Sequence, residues 1–171
     1  FTVWMDSKRP KVYDVIAAIN ALYFIGLLDR QDECTSTVDW IVEELESGKY
    51  ASGSRYYHSP KAFLFFLHRL VKRFPYWHDR VGKKLILETK NRLGVTPYIL
   101  DIAMRLVVLA GSETEIREET RHLITLQKPD GSWGNDPLFH YGKKQEFFGS
   151  KGVTNAMAIH ALDCVQDSDD K

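Results

Sequence analysis

The side chains best suited to chemistry lie in three short clusters: Tyr56-Tyr57-His58, then Tyr98 with Asp101, then Phe147-Phe148 with Ser150. Asp14 adds an isolated carboxylate ahead of an apolar run. A carboxylic acid set among aromatic rings can deliver a proton and leave the resulting positive charge against the electron-rich ring faces. On that reading Asp14 and Asp101 are candidate catalytic acids. Tyr56, Tyr57, His58, Tyr98, Phe147 and Phe148 are then candidate substrate-binding residues. The competing reading is structural: aromatic rings staple the starts of helices, and carboxylates favour helix N-termini through the dipole. For any one of these residues alone, the structural role is the more common.

Other chemistries lack local support. The chain has no Gly-x-Ser-x-Gly elbow, no P-loop and no His-Glu-x-x-His, so hydrolase, nucleotide-triphosphatase and zinc-protease readings have nothing to stand on. Cys34 and Cys164 have neither CxxC spacing nor adjacent histidine ligands, and we expect reduced, partly buried thiols. Lys+Arg and Asp+Glu balance at 23 each, which leaves no basic footprint for nucleic acid and no general attraction to anionic membranes. There is no apolar run long enough for a transmembrane segment and no signal peptide at the start, so the expectation is a soluble, cytoplasmic protein. At 171 residues and 44% hydrophobic content, the chain can form one domain with a sizeable core.

The elements that would position these groups read as helices. Val15, Ile16, Ile19, Leu22 and Tyr23 recur at helical spacing within 12–25, with Gly26 as the stop. Ser36 and Asp39 resemble an N-terminal cap for a helix through Leu45 that stops at Gly48, and Lys49 to His58 reads as a loop. Ser59-Pro60 begins a third helix that runs to about Phe74 before Pro75, and a fourth covers Tyr76 to Arg92. Thr96-Pro97 leads into a run through Leu109 that is apolar nearly all round and so reads as a buried, inner helix. Gly111 closes it, Ser112 and Glu115 suggest a capping box, and a sixth helix runs to Gln127. The seventh spans Val153 to Val165, with an acidic tail over 166–171. No alternating strand pattern appears, so we assign an all-α fold of stacked helical hairpins in one domain.

One segment is more specific. In Gln127-Lys128-Pro129-Asp130-Gly131-Ser132-Trp133, Gln127 can bond backbone groups left free at a helix end, Gly131 can take positive φ, and Trp133 can stack over the turn. This Q-x-x-x-G-x-W pattern resembles the QW repeat of the terpenoid cyclase and protein prenyltransferase superfamily, the squalene-hopene cyclases and their relatives. Phe147-Phe148-Gly149-Ser150 and the Ala-rich run to Leu162 are similar to the inner helix that follows such a turn. Phe1 to Trp4 resembles the tail of a preceding turn, which implies a fragment of a longer chain. The resemblance implies an α/α toroid, or about half of one, with the missing half supplied by the parent chain or a partner subunit.

Acidic motifs that the resemblance brings to mind find only partial matches. Protonating cyclases use Asp-x-Asp-Asp, and Asp167-Ser168-Asp169-Asp170 matches it literally at the C-terminus, where such a run is usually a solvated tail. Asp32-Glu33-Cys34-Thr35-Ser36 has the flavour of a second cyclase motif in a different order and reads as capping residues. The Asp-Asp-x-x-Asp of ionising synthases is missing from the sequence. Prenyltransferases bind zinc through Asp, Cys and His, for which Asp136, His140, His160 and Cys164 are on offer without an Asp-x-Cys. We therefore expect no metal and no cofactor. The resemblance implies that an isoprenoid or other apolar small molecule is enclosed and undergoes acid-initiated cyclisation. The alternative is a non-catalytic toroid module that binds a protein partner or a lipid-like ligand. A carbohydrate-active α/α barrel would require a pair of catalytic carboxylates that we do not find.

Overall fold

The computed structural model describes residues 1–2, 7–94, 96, 98–112, 116–141 and 146–169. Trp4, Glu115, Asp170 and Lys171 therefore lie outside the described residues. The fold is all-α, as its periodicity predicts, with one small addition. Two compact units divide the chain, Phe1–Leu85 and Ile86–Lys171.

In the first unit, α1 (Val15–Leu27) packs against α2 (Thr35–Glu46) and α3 (Pro60–Arg73). Its core is drawn from Ile16, Ile19 and Leu22 of α1, Ile41 and Leu45 of α2, and Phe63, Leu64, Leu67 and Leu70 of α3, all at most 1% exposed. The predicted cap of α3 is present: Ser59 accepts from the Lys61 amide, and Pro60 occupies the first turn, where its missing N–H costs nothing. α4 (Pro75–Lys90) begins in this unit and buries Trp77, Val81 and Leu85 along one stripe.

Two expectations for this unit need correcting. Gly26 does not stop α1; it is buried inside the helix, where a Cβ would fall 2.6 Å from the Phe74 ring. The stop is Asp29, at φ 53°, while the Asp29 and Arg30 amides donate back to Gly26 and Ile25. Aspartate tolerates the left-handed region better than most side chains, so it serves where glycine is usual. Ser36 is not the cap of α2 either. A 3-10 turn over Gln31–Cys34 leads into the helix, which starts one residue earlier at Thr35. The stretch after Gly48 also contains a 3-10 turn, Lys49–Ser52, which buries Tyr50 in a face-on stack with Phe63 at 4.8 Å.

In the second unit, α5 (Ile99–Leu109) packs against α6 (Arg117–Thr125) and α7 (Lys151–Asp169). Every residue from Leu100 to Leu109 is buried, as expected of an inner helix. The unpredicted element is an antiparallel hairpin of β1 (Pro137–His140) and β2 (Phe147–Gly149). Two strands of four and three residues are too short to show an alternating pattern. α7 continues to Asp169, so Asp167 and Ser168 belong to a helix and not to a frayed tail. Among the described residues, no helix is long and apolar enough to cross a membrane.

Candidate functional site

Asp14 and the Tyr56–His58 loop come together in the first unit. The Asp14 side chain is 3% exposed. One carboxylate oxygen accepts from the Ile16 and Ala17 amides at 3.0 Å each, the N-cap arrangement that satisfies donors left free at the start of α1. The other accepts from the Tyr56 amide at 3.3 Å, 42 residues along the chain. Asp14 thus caps a helix and clamps a loop at once. The loop is tight: Ser54 N–H donates to the Tyr57 carbonyl at 2.7 Å, and Gly53 sits at φ 76° with the Tyr57 and His58 carbonyls too close to admit a Cβ. Tyr57 lies edge-on to Phe66 at 5.7 Å. Burial, and then the negative charge of Asp14, push its phenol above the ordinary tyrosine range.

Asp101, Tyr98 and the hairpin belong to the second unit. Asp101 stands in the first turn of α5, 5% exposed, and accepts from the Thr96 hydroxyl at 3.2 Å. Tyr98 occupies the N-cap position with its ring 42% exposed and makes no side-chain cap bond. The cap comes from elsewhere. Asp136, which the sequence offers only as a metal ligand, accepts from the Leu100 amide at 2.8 Å. Its own amide donates to the buried Thr154 hydroxyl of α7 at 3.2 Å.

The turn that precedes Asp136 is built largely as its residue types predict, with one exchange of roles. Gly131 has φ 81°. The Gln127 amide nitrogen donates to the Gly131 carbonyl at 2.8 Å, inside the turn, so Gln127 does not serve the helix end. Trp133 takes that part: its indole N–H donates to the Leu123 carbonyl near the end of α6 at 2.9 Å, and the ring is 3% exposed. The Trp133 amide donates to Asn155 of α7 at 2.7 Å. Asp130, bonded by the hydroxyl and then the amide of Ser132, is held below the usual carboxylate range.

Phe147 and Phe148 lie in β2, 54% and 43% exposed. Phe148 stacks nearly parallel on Phe139 at 5.2 Å, and Phe147 lies beside His140 at 5.8 Å. Phe139, which sequence reasoning passed over, completes this aromatic face. The hairpin joins the strap between the turn and α5, since the Asp136 carbonyl lies where a Cβ on Gly149 would be, at 2.2 Å.

A second group missed in the sequence is the ion pair of Arg105 and Glu119, 1% and 6% exposed. Arg105 donates through Nε at 2.7 Å and through Nη2 to the same oxygen, while the other Glu119 oxygen accepts from the Gly94 amide at 3.2 Å. The available signal was a single basic residue within the mostly apolar run of α5, which requires a buried counter-charge.

Among the described residues, the remaining motif candidates form no group that could hold a metal ion. Asp167 is exposed on α7, and Asp170 lies outside the described residues. His160 is exposed, with Cys164 half-buried one turn on and 3.7 Å from its ring nitrogens. Asp136 is engaged as the cap of α5.

No family model matches the chain. Nor does any solved structure match it. Among curated proteins it is similar to drimenol cyclase drtB of Aspergillus calidoustus, with 30% identity over 161 residues. The alignment takes in 93% of this chain and 30% of that protein, so the chain spans under a third of the relative it matches. The likeness supports the superfamily to which the Gln127–Trp133 turn points.

Proposed function

We propose that this chain forms part of a cyclase-like enclosure for an apolar isoprenoid, and that the start of α5 supplies the acid that initiates cyclisation. The similarity to a terpenoid cyclase over nearly the whole chain carries this reading. Within it, Asp101 is preferred because it is buried in the first turn of α5, in the same unit as the aromatic hairpin, and accepts from the Thr96 hydroxyl. Asp14 spends both oxygens on three backbone amides. As the acid, Asp101 would give a proton to a terminal carbon–carbon double bond, forming a tertiary carbocation that the next double bond attacks, and loss of a proton from the cyclised cation would end the reaction. Tyr98, Phe147 and Phe148, all substantially exposed, offer ring faces to that charge. In the first unit, the loop of Tyr56, Tyr57 and His58, joined to Asp14 through the Tyr56 amide, offers a further apolar-binding surface. Stacked helices of this kind close into an α/α toroid in the superfamily that the chain resembles.

Native mass spectrometry with farnesyl diphosphate and squalene, followed by product analysis, tests the reading. We expect a specific adduct and a cyclised product that Asp101→Asn abolishes and Asp14→Asn reduces only as far as it lowers stability. An unchanged product yield in Asp101→Asn removes that acid. The second reading, a non-catalytic module that binds a lipid-like ligand or a protein, is favoured by the capping duty of Asp14, and an adduct without turnover supports it.

A further inference from the structure

α1 carries no charged residue from Val15 to Leu27, yet it is not covered all round. One face meets the core. On the other face and at the helix ends, Tyr13, Ala17, Phe24, Leu27 and Leu28 are exposed, with Phe24 at 62%, Leu27 at 49% and Leu28 at 50%. A helix that is apolar on every side is normally packed on every side, and large apolar side chains clustered in the open mark a contact surface.

The elements beside this face differ in charge. α1 packs against both α2 and α3. α3 holds four Lys and Arg and no carboxylate, whereas α2 holds four carboxylates and no Lys or Arg. The basic side reaches the apolar cluster near the end of α1. Arg69 lies over the Tyr23 ring at 5.2 Å, and Arg73 lies over Phe74 at 5.2 Å, itself edge-on to Tyr23 at 5.6 Å. On the acidic side, Asp29 directly follows Leu28, and Asp32 stands in the 3-10 turn that leads to α2. Arg69, Lys72, Arg73, Asp29 and Asp32 are exposed and form no ion pair among the described residues. An anionic lipid surface would meet the aspartates as well as the arginines, and an acidic peptide would leave the aspartates unanswered. A two-fold rotation about the apolar cluster answers both signs, because it sets the basic side of each copy against the acidic side of the other.

We propose that a second copy of this chain docks on the outer face of α1 in an isologous dimer. Phe24, Leu27 and Leu28 of both copies form its centre, and Arg69, Lys72 and Arg73 of each copy face Asp29 and Asp32 of the other. The contact involves the first unit alone and is independent of any chemistry at α5.

Sedimentation equilibrium of the full chain tests the proposal. We expect a concentration-dependent dimer that weakens as salt screens the flanking charges. Leu27→Asp should raise the dimer dissociation constant about tenfold or more, as loss of a central interface side chain does. Because Leu27 is half exposed, thermal unfolding at concentrations where the wild type is monomeric should be unchanged. Lys72→Glu with Arg73→Glu should dimerise poorly, and so should Asp32→Lys, but an equimolar mixture of the two variants should associate more tightly than either alone. A wild type that stays monomeric overturns the proposal, whether or not it binds phosphatidylserine vesicles, as does a dimer indifferent to Leu27→Asp. A mixture no tighter than its components overturns the two-fold pairing of charges.

Discussion

The starts of α1 and α5 each place a buried aspartate beside aromatic residues, yet they are organised in opposite ways. At α1 the cap is local: Asp14 precedes the helix and bonds the amides two and three residues on. At α5 the Leu100 amide is served from a distance, by Asp136, while Asp101 of the first turn accepts from the Thr96 hydroxyl. A residue that caps its own helix has its lone pairs committed to the backbone. The two aspartates thus differ in their hydrogen-bond partners, although they look alike in composition and in their aromatic surroundings.

The largest test of this contrast is the dependence of α5 on distant partners. Glu119→Ala leaves the Arg105 guanidinium buried without its counter-charge, and we expect a loss of about 3–5 kcal/mol in chemical denaturation. The exposed Arg30–Glu33 pair beyond the end of α1 should show no measurable loss on Glu33→Ala. Equal effects at the two sites would erase the distinction. Next is Asp14→Ala, which removes a cap and a loop clamp together, at a cost of about 1–2 kcal/mol, while Asp14→Asn should recover most of it because Asn is also a good cap. If the Asn variant is as unstable as the Ala variant, charge and not capping is the function of Asp14.

The smallest effect concerns pH. Tyr57 titrates above its ordinary value in the folded chain because burial, and then Asp14, disfavour the phenolate. Its contribution to stability is complete below the unfolded tyrosine value of about 10 and is lost as pH rises through the higher folded value. Tyr57→Phe should therefore flatten the alkaline limb of the stability profile and leave neutral pH almost unaffected. An alkaline limb identical to wild type would show that the Tyr57 phenol is as well solvated as in the unfolded chain.

Local signals were legible wherever one residue answers to its near neighbours. Ser59-Pro60 announced α3, Gly131 announced its turn, and the near-continuous apolar run announced the burial of α5. Gly26 misled because a glycine near a helix end has two uses, a left-handed stop or room for a neighbour, and only the Phe74 ring shows which applies. Trp133 and Gln127 exchanged expected duties for a similar reason. Both carry N–H donors, and their placement decides which one reaches the Leu123 carbonyl.

Helical period, turn chemistry and the local cap of α1 follow from residues within a few positions of one another, because they depend on short-range sterics and backbone hydrogen bonding. The Asp136 cap on α5, the Arg105–Glu119 pair and the Phe139–Phe148 face join residues 36, 14 and 9 apart. Such pairings exist only once packing has closed the intervening loops, and nothing in the order of residues marks their partners. The difference between the two aspartates was therefore decided in three dimensions, where each lone pair finds its donor.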